Sequence, residues 1–445
     1  MRVSSSRIRP LAKPSAAAVL AIALCTDCAG NRVEMRPVAH ADYWGALSEL
    51  RPDAALKYSR TFSQKLFAVS LRYMMQGDFE PAEAGFASLQ AIADDSLLRG
   101  GARVAYSAVL QYEEKWSQLS KVPPLLETSR DADRAGVERW AAAFANVPPK
   151  TIAFPSRLAI LPMSLSVTQA PTIPVRINDR EYHFWLDTGS SLTIVSSDVA
   201  AALNLSPLSP DTLEMVTNTG RVRALPAVIG RMELGGILVR NAPAMIVDEK
   251  SMQMRGTDRA TSAARPSSTK IDGIVGYDLI HRMDVEIDYG DAEVRLRDPA
   301  ARRNRDPASR NLFWLGVPVV RLLYEDGTPL YFGLDTGAEE TFGTQTLFEK
   351  LELKPNTRES RKIGGLAGMA SLQASIVHEL HVDVRNHPLI LRDLVVYAPV
   401  YRTLVSLDGV LGGGVSRAGV VRIDATNGIF AVDEMPAATA RRVEH

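Results

Sequence analysis

The tripeptide Asp-Thr-Gly occurs twice in this chain of 445 residues, each time at the end of an alternating apolar run. The first stretch, "HFWLDTGSSLTIV", runs from His183 to Val195, and the second, "YFGLDTGAEETFG", runs from Tyr331 to Gly343. Short runs of β-branched and aromatic residues bounded by glycine and aspartate are typical of strands. The chain therefore places the same turn after a strand in two distant places.

Other features repeat around these two turns in the same order. Before each turn, the sequence predicts a strand, a hairpin turn and a second strand. After it come a glycine-containing turn and an Asp-Gly-apolar-apolar-Gly segment, at Ile271–Gly276 ("IDGIVG") and Leu407–Gly412 ("LDGVLG"). The predicted strands Met283–Tyr289 and Gly419–Ala425 follow. Four shared features in one order indicate an internal duplication.

These motifs resemble the aspartic peptidase superfamily, in which every lobe supplies one catalytic aspartate from an Asp-Thr/Ser-Gly turn. The resemblance covers about Thr151 to Asp433. It implies a mostly β, bilobal fold made of two retropepsin-like β-barrel lobes in one chain, as in bacterial aspartyl protease families. It also implies hydrolysis of a peptide or protein substrate by a monomer, without a metal or another cofactor.

The chemistry of amide hydrolysis accounts for the repeated aspartate. Without a metal or a covalent intermediate, one group must deprotonate water and another must protonate the carbonyl oxygen. Two carboxylates about 3 Å apart do not both ionise readily, so the pair holds one proton and performs both tasks. Asp187 and Asp335 are the predicted catalytic dyad.

The neighbours of the two aspartates have predicted supporting roles. Gly189 and Gly337 allow the tight turns that bring the two backbones together. The resemblance implies that Thr188 and Thr336 point inward and form hydrogen bonds across the lobe interface. Each Asp-Gly segment also contains an apolar pair, Ile274-Val275 in the first half and Val410-Leu411 in the second. Both pairs are expected to pack behind the Asp-Thr-Gly turns.

The residue after each Asp-Thr-Gly differs between the halves: Ser190 in the first and Ala338 in the second. The resemblance implies that a hydroxyl at this position donates to the neighbouring catalytic carboxylate. Since a hydrogen bond to the charged form lowers a pKa, we expect Asp187 to ionise more readily than Asp335.

Two glycine-containing turns are candidates for flaps, which are hairpins that close over an extended peptide. The candidate flap residues are Thr219 and Gly220 in the first half and Gly364, Gly365 and Gly368 in the second. The turn in the first half lacks the tyrosine found in the flap of pepsin-like enzymes, and the turn in the other half is more similar to a retropepsin flap. Which hairpin covers the substrate stays open, as does the interpretation of both as ordinary hairpins.

Other classes of site are disfavoured. His378 and His381 lie three apart in a predicted strand and therefore face opposite sides, which argues against a shared metal. Asp272 and Asp408 precede a glycine in the repeated segment, and structural roles are favoured for both. The chain has neither a Gly-x-Ser-x-Gly elbow nor a phosphate-binding loop. Lys+Arg and Asp+Glu number 51 each, which argues against a nucleic-acid binder.

The first thirty residues have the pattern of a targeting segment. Basic residues precede the apolar run Ala16–Leu24, which is too short to span a membrane. The chain's two cysteines follow at Cys25 and Cys28. Cleavage before a lipidated Cys25 and ordinary cleavage near Gly30 are both open. We therefore expect an exported protein of a bacterium, either periplasmic or anchored to the membrane as a lipoprotein.

Residues 41–147 are predicted to be helical, and Leu66–Leu89 resembles a tetratricopeptide repeat, with Gly77 in the turn between two helices. A degenerate second copy is expected at Val104–Leu119, and an unrelated helical bundle is the alternative. The predicted divisions are a targeting segment (1–30), a helical domain (41–147), a first lobe (151–297), a basic linker (298–311), a second lobe (312–433) and a C-terminal tail (434–445).

The sequence as a whole favours an exported aspartic endopeptidase whose helical region recruits or orients a protein substrate. The alternative is a peptide-binding or protein-binding protein that keeps the fold but has little or no turnover. A third possibility is that the helical region is a removable prosegment. The sequence names neither the substrate nor the cleavage-site preference.

Overall fold

The computed structural model describes residues 42–123, 136–217, 220–255, 268–299, 309–353, 358–385, 387–397, 406–413 and 419–434. The predicted targeting segment with Cys25 lies outside these residues. So do Thr219, nearly all of the predicted tail and most of the predicted linker.

The N-terminal region is helical, as predicted. Its helices are α1 (Tyr43–Ser48), α2 (Pro52–Tyr58), α3 (Phe62–Gln76), α4 (Phe79–Ile92), α5 (Ser96–Tyr112), α6 (Trp116–Leu119) and α7 (Gly136–Phe144). Thr61 starts α3 with a capping box, and Gly77 ends it with a φ of 77°. Helices α3 and α4 form the expected helical pair, whereas the resemblance to a tetratricopeptide repeat stays a prediction. No helix in the described ranges is long and apolar enough to cross a membrane.

The rest of the described chain is mostly β. Its first half contains β1 (Thr151–Ala153), β2 (Ala159–Pro162), β3 (Ser164–Leu165), β4 (Pro171–Ile177), β5 (Arg180–Leu186), β6 (Thr193–Ser196), α8 (Ser197–Ala202), β7 (Leu213–Thr217), β8 (Gly220–Leu234), β9 (Ile237–Val247), β10 (Gln253–Arg255), β11 (Ser268–Lys270), β12 (Gly273–Val275), α9 (Tyr277–Ile280), β13 (Asp284–Asp288) and β14 (Glu293–Arg297). Its second half contains β15 (Leu312–Trp314), β16 (Pro318–Tyr324), β17 (Pro329–Leu334), β18 (Phe342–Thr344), α10 (Gln345–Leu351), β19 (Arg358–Gly365), β20 (Gly368–Val384), β21 (His387–Tyr397), β22 (Gly409–Leu411), β23 (Gly419–Asp424) and β24 (Ile429–Glu434).

Each half contains a closed ring of six strands. In the first half the ring runs β4-β5-β12-β6-β9-β8 and closes because β8 also pairs with β4. In the second half it runs β16-β17-β22-β18-β21-β20 and closes because β20 also pairs with β16. The two barrels have the same strand order. In both, a short strand inserted in parallel beside the strand before Asp-Thr-Gly (β12 beside β5, β22 beside β17) supports the turn.

A five-stranded antiparallel sheet joins the two halves, in the order β2-β14-β13-β23-β24. At its centre, β13 from the first half pairs with β23 from the second. Arg422 on β23 donates two hydrogen bonds, of 3.1 and 2.8 Å, to the buried carboxylate of Asp284 on β13. Because this ion pair is bidentate and largely removed from water, it fixes the register of β13 against β23, and so the position of one half against the other.

The helical region shares buried surface with both barrels. The Trp314 indole N–H, in the second half, donates to the Ala108 carbonyl of α5 at 2.8 Å. The Tyr112 ring, also on α5, lies 4.3 Å from the His281 ring and 5.3 Å from the Trp314 ring, centroid to centroid. Helix α7 lies against β7 and β8. The helical region is therefore part of one packed structure with the barrels.

Candidate active site

The two Asp-Thr-Gly turns lie at the ends of β5 and β17. The Asp187 amide donates to the Val275 carbonyl at 3.0 Å, and the Asp335 amide donates to the Leu411 carbonyl at 2.9 Å. Val275 and Leu411 end the short strands β12 and β22, whose apolar pairs were expected behind the turns. The structure places them there.

The two threonines form a reciprocal exchange between the halves. The Thr188 amide donates to the Thr336 hydroxyl and the Thr336 amide donates to the Thr188 hydroxyl, both at 3.0 Å. Each hydroxyl donates in turn to a carbonyl of the opposite half, that of Leu334 at 2.9 Å and that of Leu186 at 2.7 Å. Because both threonines are buried, these four bonds are shielded from water and lock the two turns into one unit.

The two glycines lie where no other residue fits. A Cβ atom added to Gly189 would lie 2.5 Å from the Asp335 Cγ, and one added to Gly337 would lie 2.5 Å from the Asp187 Cγ. Each carboxyl group therefore lies directly over the turn of the opposite half. This close approach explains why the third position of both motifs has no side chain.

The two carboxyl groups are half-buried, and each lies over the glycine of the opposite turn. The Gly189 amide donates to Asp187 Oδ1 at 2.8 Å, and the amides of Gly337 and Ala338 donate to Asp335 Oδ1 at 3.1 and 2.9 Å. Burial raises the pKa of both aspartates, and the charge of Asp187 raises the pKa of Asp335 further, well above its ordinary range. Since two adjacent carboxylates repel each other, the pair retains one shared proton and titrates as a unit.

The expected role of Ser190 is wrong in this structure. Its hydroxyl donates to the Leu192 carbonyl at 2.7 Å. A hydroxyl has a single proton to donate, so this bond leaves none for the carboxylate of Asp187. The pKa of Asp335 is raised more than that of Asp187, in the expected order, but the Ser190 hydroxyl is not the cause.

Both candidate flaps are hairpins, and their tips meet. The first consists of β7 and β8, with Gly220 at the start of β8. The second consists of β19, which contains Gly364 and Gly365, and β20, which Gly368 begins. A Cβ atom on Gly220 would lie 3.2 Å from the Ala367 Cβ in the turn of the second hairpin. Both hairpins therefore converge on one place.

For four residues, the sequence disfavoured a catalytic or metal-binding role: His378, His381, Asp272 and Asp408. His378 and His381 are exposed on β20, and no group of three or more His, Cys, Asp or Glu in the described ranges could hold a metal ion. The Asp272 carboxylate accepts from the His183 amide at 2.9 Å, and that of Asp408 accepts from the Tyr331 amide at 2.7 Å. These bonds tie each Asp-Gly segment to the neighbouring strand, which is a structural role.

A cluster that the sequence did not reveal lies behind the Asp187 turn. It consists of Glu114 after α5, Lys150 before β1, and Asp278 on α9, with Thr193 on β6. The four residues belong to separate segments, and none is part of a repeated motif. No pattern in the sequence joins them.

In the first half, a closed β-barrel carries an Asp-Thr-Gly turn at the end of β5, which is consistent with an aspartic-protease fold. Residues 173–279 match a family model described as aspartyl protease. The match runs from β4 to α9 and includes Asp187, so this part of the chain is similar to aspartyl protease domains, which supports a peptidase function. Asp335 lies outside the matched residues. A search of curated proteins found no match.

Proposed function

We propose that this protein is an aspartic endopeptidase in which Asp187 and Asp335 together activate water for peptide hydrolysis. The reciprocal exchange between Thr188 and Thr336 carries the proposal, because it holds the two turns together and so brings one aspartate from each half against the other. A pair that retains one proton has both the base and the acid that the reaction needs.

In the proposed reaction, the ionised carboxylate of the dyad takes a proton from water while the water oxygen attacks the carbonyl carbon. The other carboxyl gives its proton to the carbonyl oxygen, which yields a tetrahedral diol. The leaving nitrogen then takes from the dyad the proton that came from water, and the C–N bond breaks. One hydroxyl of the diol returns its proton to the dyad as the product carboxylic acid forms. Proton and charge are balanced without a cofactor.

We further propose that the two barrels are the two lobes of a single-chain peptidase that acts as a monomer. Their identical strand order supports this, as does the sheet in which β13 and β23 join the halves. The two hairpins would cover an extended peptide, which would pass between their tips and the dyad.

The place of the protein in the cell is also a proposal. The basic and apolar pattern of residues 1–30 supports export from a bacterial cytoplasm, with lipidation at Cys25 as one form of attachment and a free periplasmic protein as the other. The helical region would recruit or orient the protein substrate.

A digest of a peptide library by the wild-type protein and by Asp187→Asn tests the proposed activity. We expect defined internal cleavages by the wild type and almost none by the variant. Asp53→Asn serves as the matched control, because Asp53 is an exposed aspartate of the helical region. If the wild type binds peptides without cleaving any, the protein is a binding protein that keeps the peptidase fold.

A further inference from the structure

The turn that carries Asp187 is held from behind by the segment that follows β12. The Tyr277 amide donates to the Ser190 carbonyl at 2.7 Å. The Thr193 hydroxyl donates to the Asp278 carboxylate, at 3.1 Å to Oδ1, and accepts from the Gly276 amide at 3.4 Å. The segment from Gly276 to Asp278 therefore supports the chain on the C-terminal side of Asp187 at two points, Ser190 and Thr193.

Asp278 is a buried carboxylate, and Lys150 is its cation. The Lys150 ammonium lies 3.4 Å from Asp278 Oδ2 and donates to the Asp278 carbonyl at 2.6 Å. The same ammonium forms an ion pair with Glu114. The side chains of Lys150 and Asp278 are 3% exposed and that of Glu114 is 10% exposed. A buried charge without a partner is strongly destabilising, so both carboxylates depend on this one lysine.

This cluster connects the helical region to the catalytic turn. Glu114 follows the last residues of α5, whose Tyr112 ring stacks near His281 at the end of α9. Lys150 lies in the segment between α7 and β1, and Asp278 belongs to α9. The connection from α5 through the lysine to Thr193 is continuous and made of buried polar contacts.

In the part of the second barrel that the structure describes, backbone groups of Gly412 and Gly413 support the turn. Thr341 is the counterpart of Thr193, six residues after its aspartate. Its hydroxyl donates to the Gly412 carbonyl at 3.4 Å and accepts from the Gly412 amide at 3.1 Å. The Gly413 amide donates to the Ala338 carbonyl at 2.8 Å, as Tyr277 does to Ser190. The backbone contacts match, whereas the charged connection belongs to the Asp187 side.

We propose that Lys150 is a positioning residue, which ties the helical region to Asp278 and thereby holds the Asp187 turn in the geometry that hydrolysis requires. This rests on the proposed peptidase function. Lys150 touches neither the dyad nor the substrate, so its effect reaches the reaction through Asp278, Thr193 and the turn. The helical region is then a working part of the active site and not only a surface for recruiting substrate.

The kinetic test is Lys150→Met. Because a small displacement of a catalytic group lowers the rate of the chemical step more than binding, we expect kcat to fall about tenfold while KM changes less than about twofold. Lys350→Met is the matched control. Lys350 forms an ion pair with the buried Asp408 at 3.0 Å in the second barrel. An equal fall in kcat in both variants would overturn the proposal.

A double variant separates positioning from stability. Glu114→Gln combined with Lys150→Met removes one of the two buried carboxylates together with the lysine, so it should fold more stably than Lys150→Met alone. We expect Tm to recover while kcat stays about tenfold low, because Asp278 still lacks its cation. Recovery of kcat along with Tm would show that Lys150 serves stability alone.

Amide hydrogen exchange tests the same connection without any turnover. In the double variant, exchange should accelerate in peptides covering residues 187–195 and stay unchanged in those covering 335–343. Equal acceleration in both segments, or none in either, would overturn the proposal. If the wild type hydrolyses no peptide, the proposed function fails, whereas this exchange measurement still decides whether Lys150 holds the turn.

Discussion

The two hairpins whose tips meet are alike in connectivity, but they differ in how much buried apolar contact supports them. In the first, the side chains of Leu213, Met215, Val222 and Ala224 are buried in a cluster that also contains Trp116 and Phe144 of the helical region. In the second, Ser360, Ser371 and Gln373 are exposed, and Leu366 at the turn is only partly buried. Local stability follows buried apolar contact. The first hairpin therefore has more buried apolar contact with the helical region than the second, and we expect its amides to exchange more slowly.

The two halves also differ in the side chain that lies two residues before each aspartate. Trp185 precedes Asp187 by two residues and pairs with Ile274, whereas Gly333 holds the corresponding place before Asp335 and pairs with Val410. Since alternate residues of a strand share a face, both positions lie on the side of their aspartate. The two halves therefore have the same strand order around their aspartates, whereas the residues beside the two aspartates differ.

The largest expected effect tests the symmetric part. Asp187→Asn and Asp335→Asn should each lower kcat by about a thousandfold or more, because each carboxyl is half of one acid–base unit. The double variant should be little worse than either single variant. A clear difference between the two single variants, measured as kcat on one peptide, would show that the dyad is not a shared unit.

The next effect tests the unequal support of the hairpins. Phe144 is 1% exposed, and Phe144→Ala should lower the free energy of unfolding by about 3–5 kcal/mol. Hydrogen exchange should increase in β7 and β8 and not in β19 and β20. Phe62→Ala is the control, because Phe62 is 70% exposed and its loss should change stability little. Equal increases in both hairpins would remove the distinction between them.

Asp278 makes the first barrel respond to pH. Burial raises its pKa from 3.8 to about 6, with the nearby Glu114 raising it and Lys150 lowering it. Because the folded protein binds this proton more tightly than the unfolded chain, the stabilisation is fully present below pH 3.8 and is lost as pH rises through about 6. A shift of this size corresponds to about 3 kcal/mol.

Chemical denaturation of the wild type and of Asp278→Asn isolates this contribution. The measurements are made at a series of pH values from about 3.5 to about 8, which extends below and above the range from about 4 to 6. The difference in unfolding free energy between the two proteins should depend on pH across that range. A difference that is constant with pH would show that Asp278 does not titrate in the folded protein.

The smallest expected effect concerns Ser190. Because its hydroxyl donates to the Leu192 carbonyl, Ser190→Ala should leave the pH–rate profile of hydrolysis superimposable on that of the wild type. A displacement of the alkaline limb by about half a unit would mean that the hydroxyl turns to the carboxylate during the reaction.

The dyad could be predicted from the sequence because its residues lie in a repeated motif whose turn geometry is local. The two threonines and glycines followed from the same motif. Ser190 shows the limit of reasoning from the motif, since its hydroxyl donates to the Leu192 carbonyl, whereas the motif predicted the Asp187 carboxylate as its acceptor. Lys150, Glu114 and Asp278 meet only because the helical region docks on the first barrel. That docking depends on tertiary packing, which no short pattern encodes.

Mixing the two single variants tests most directly whether one chain supplies both catalytic aspartates. Asp187→Asn and Asp335→Asn are purified separately, combined in equal amounts, unfolded and refolded together, and assayed on a peptide that the wild type cleaves. Since both turns are locked together within one chain, the mixture should show no more activity than either variant alone. Restored hydrolysis in the mixture would mean that the working site is assembled from two chains, and it would contradict the account.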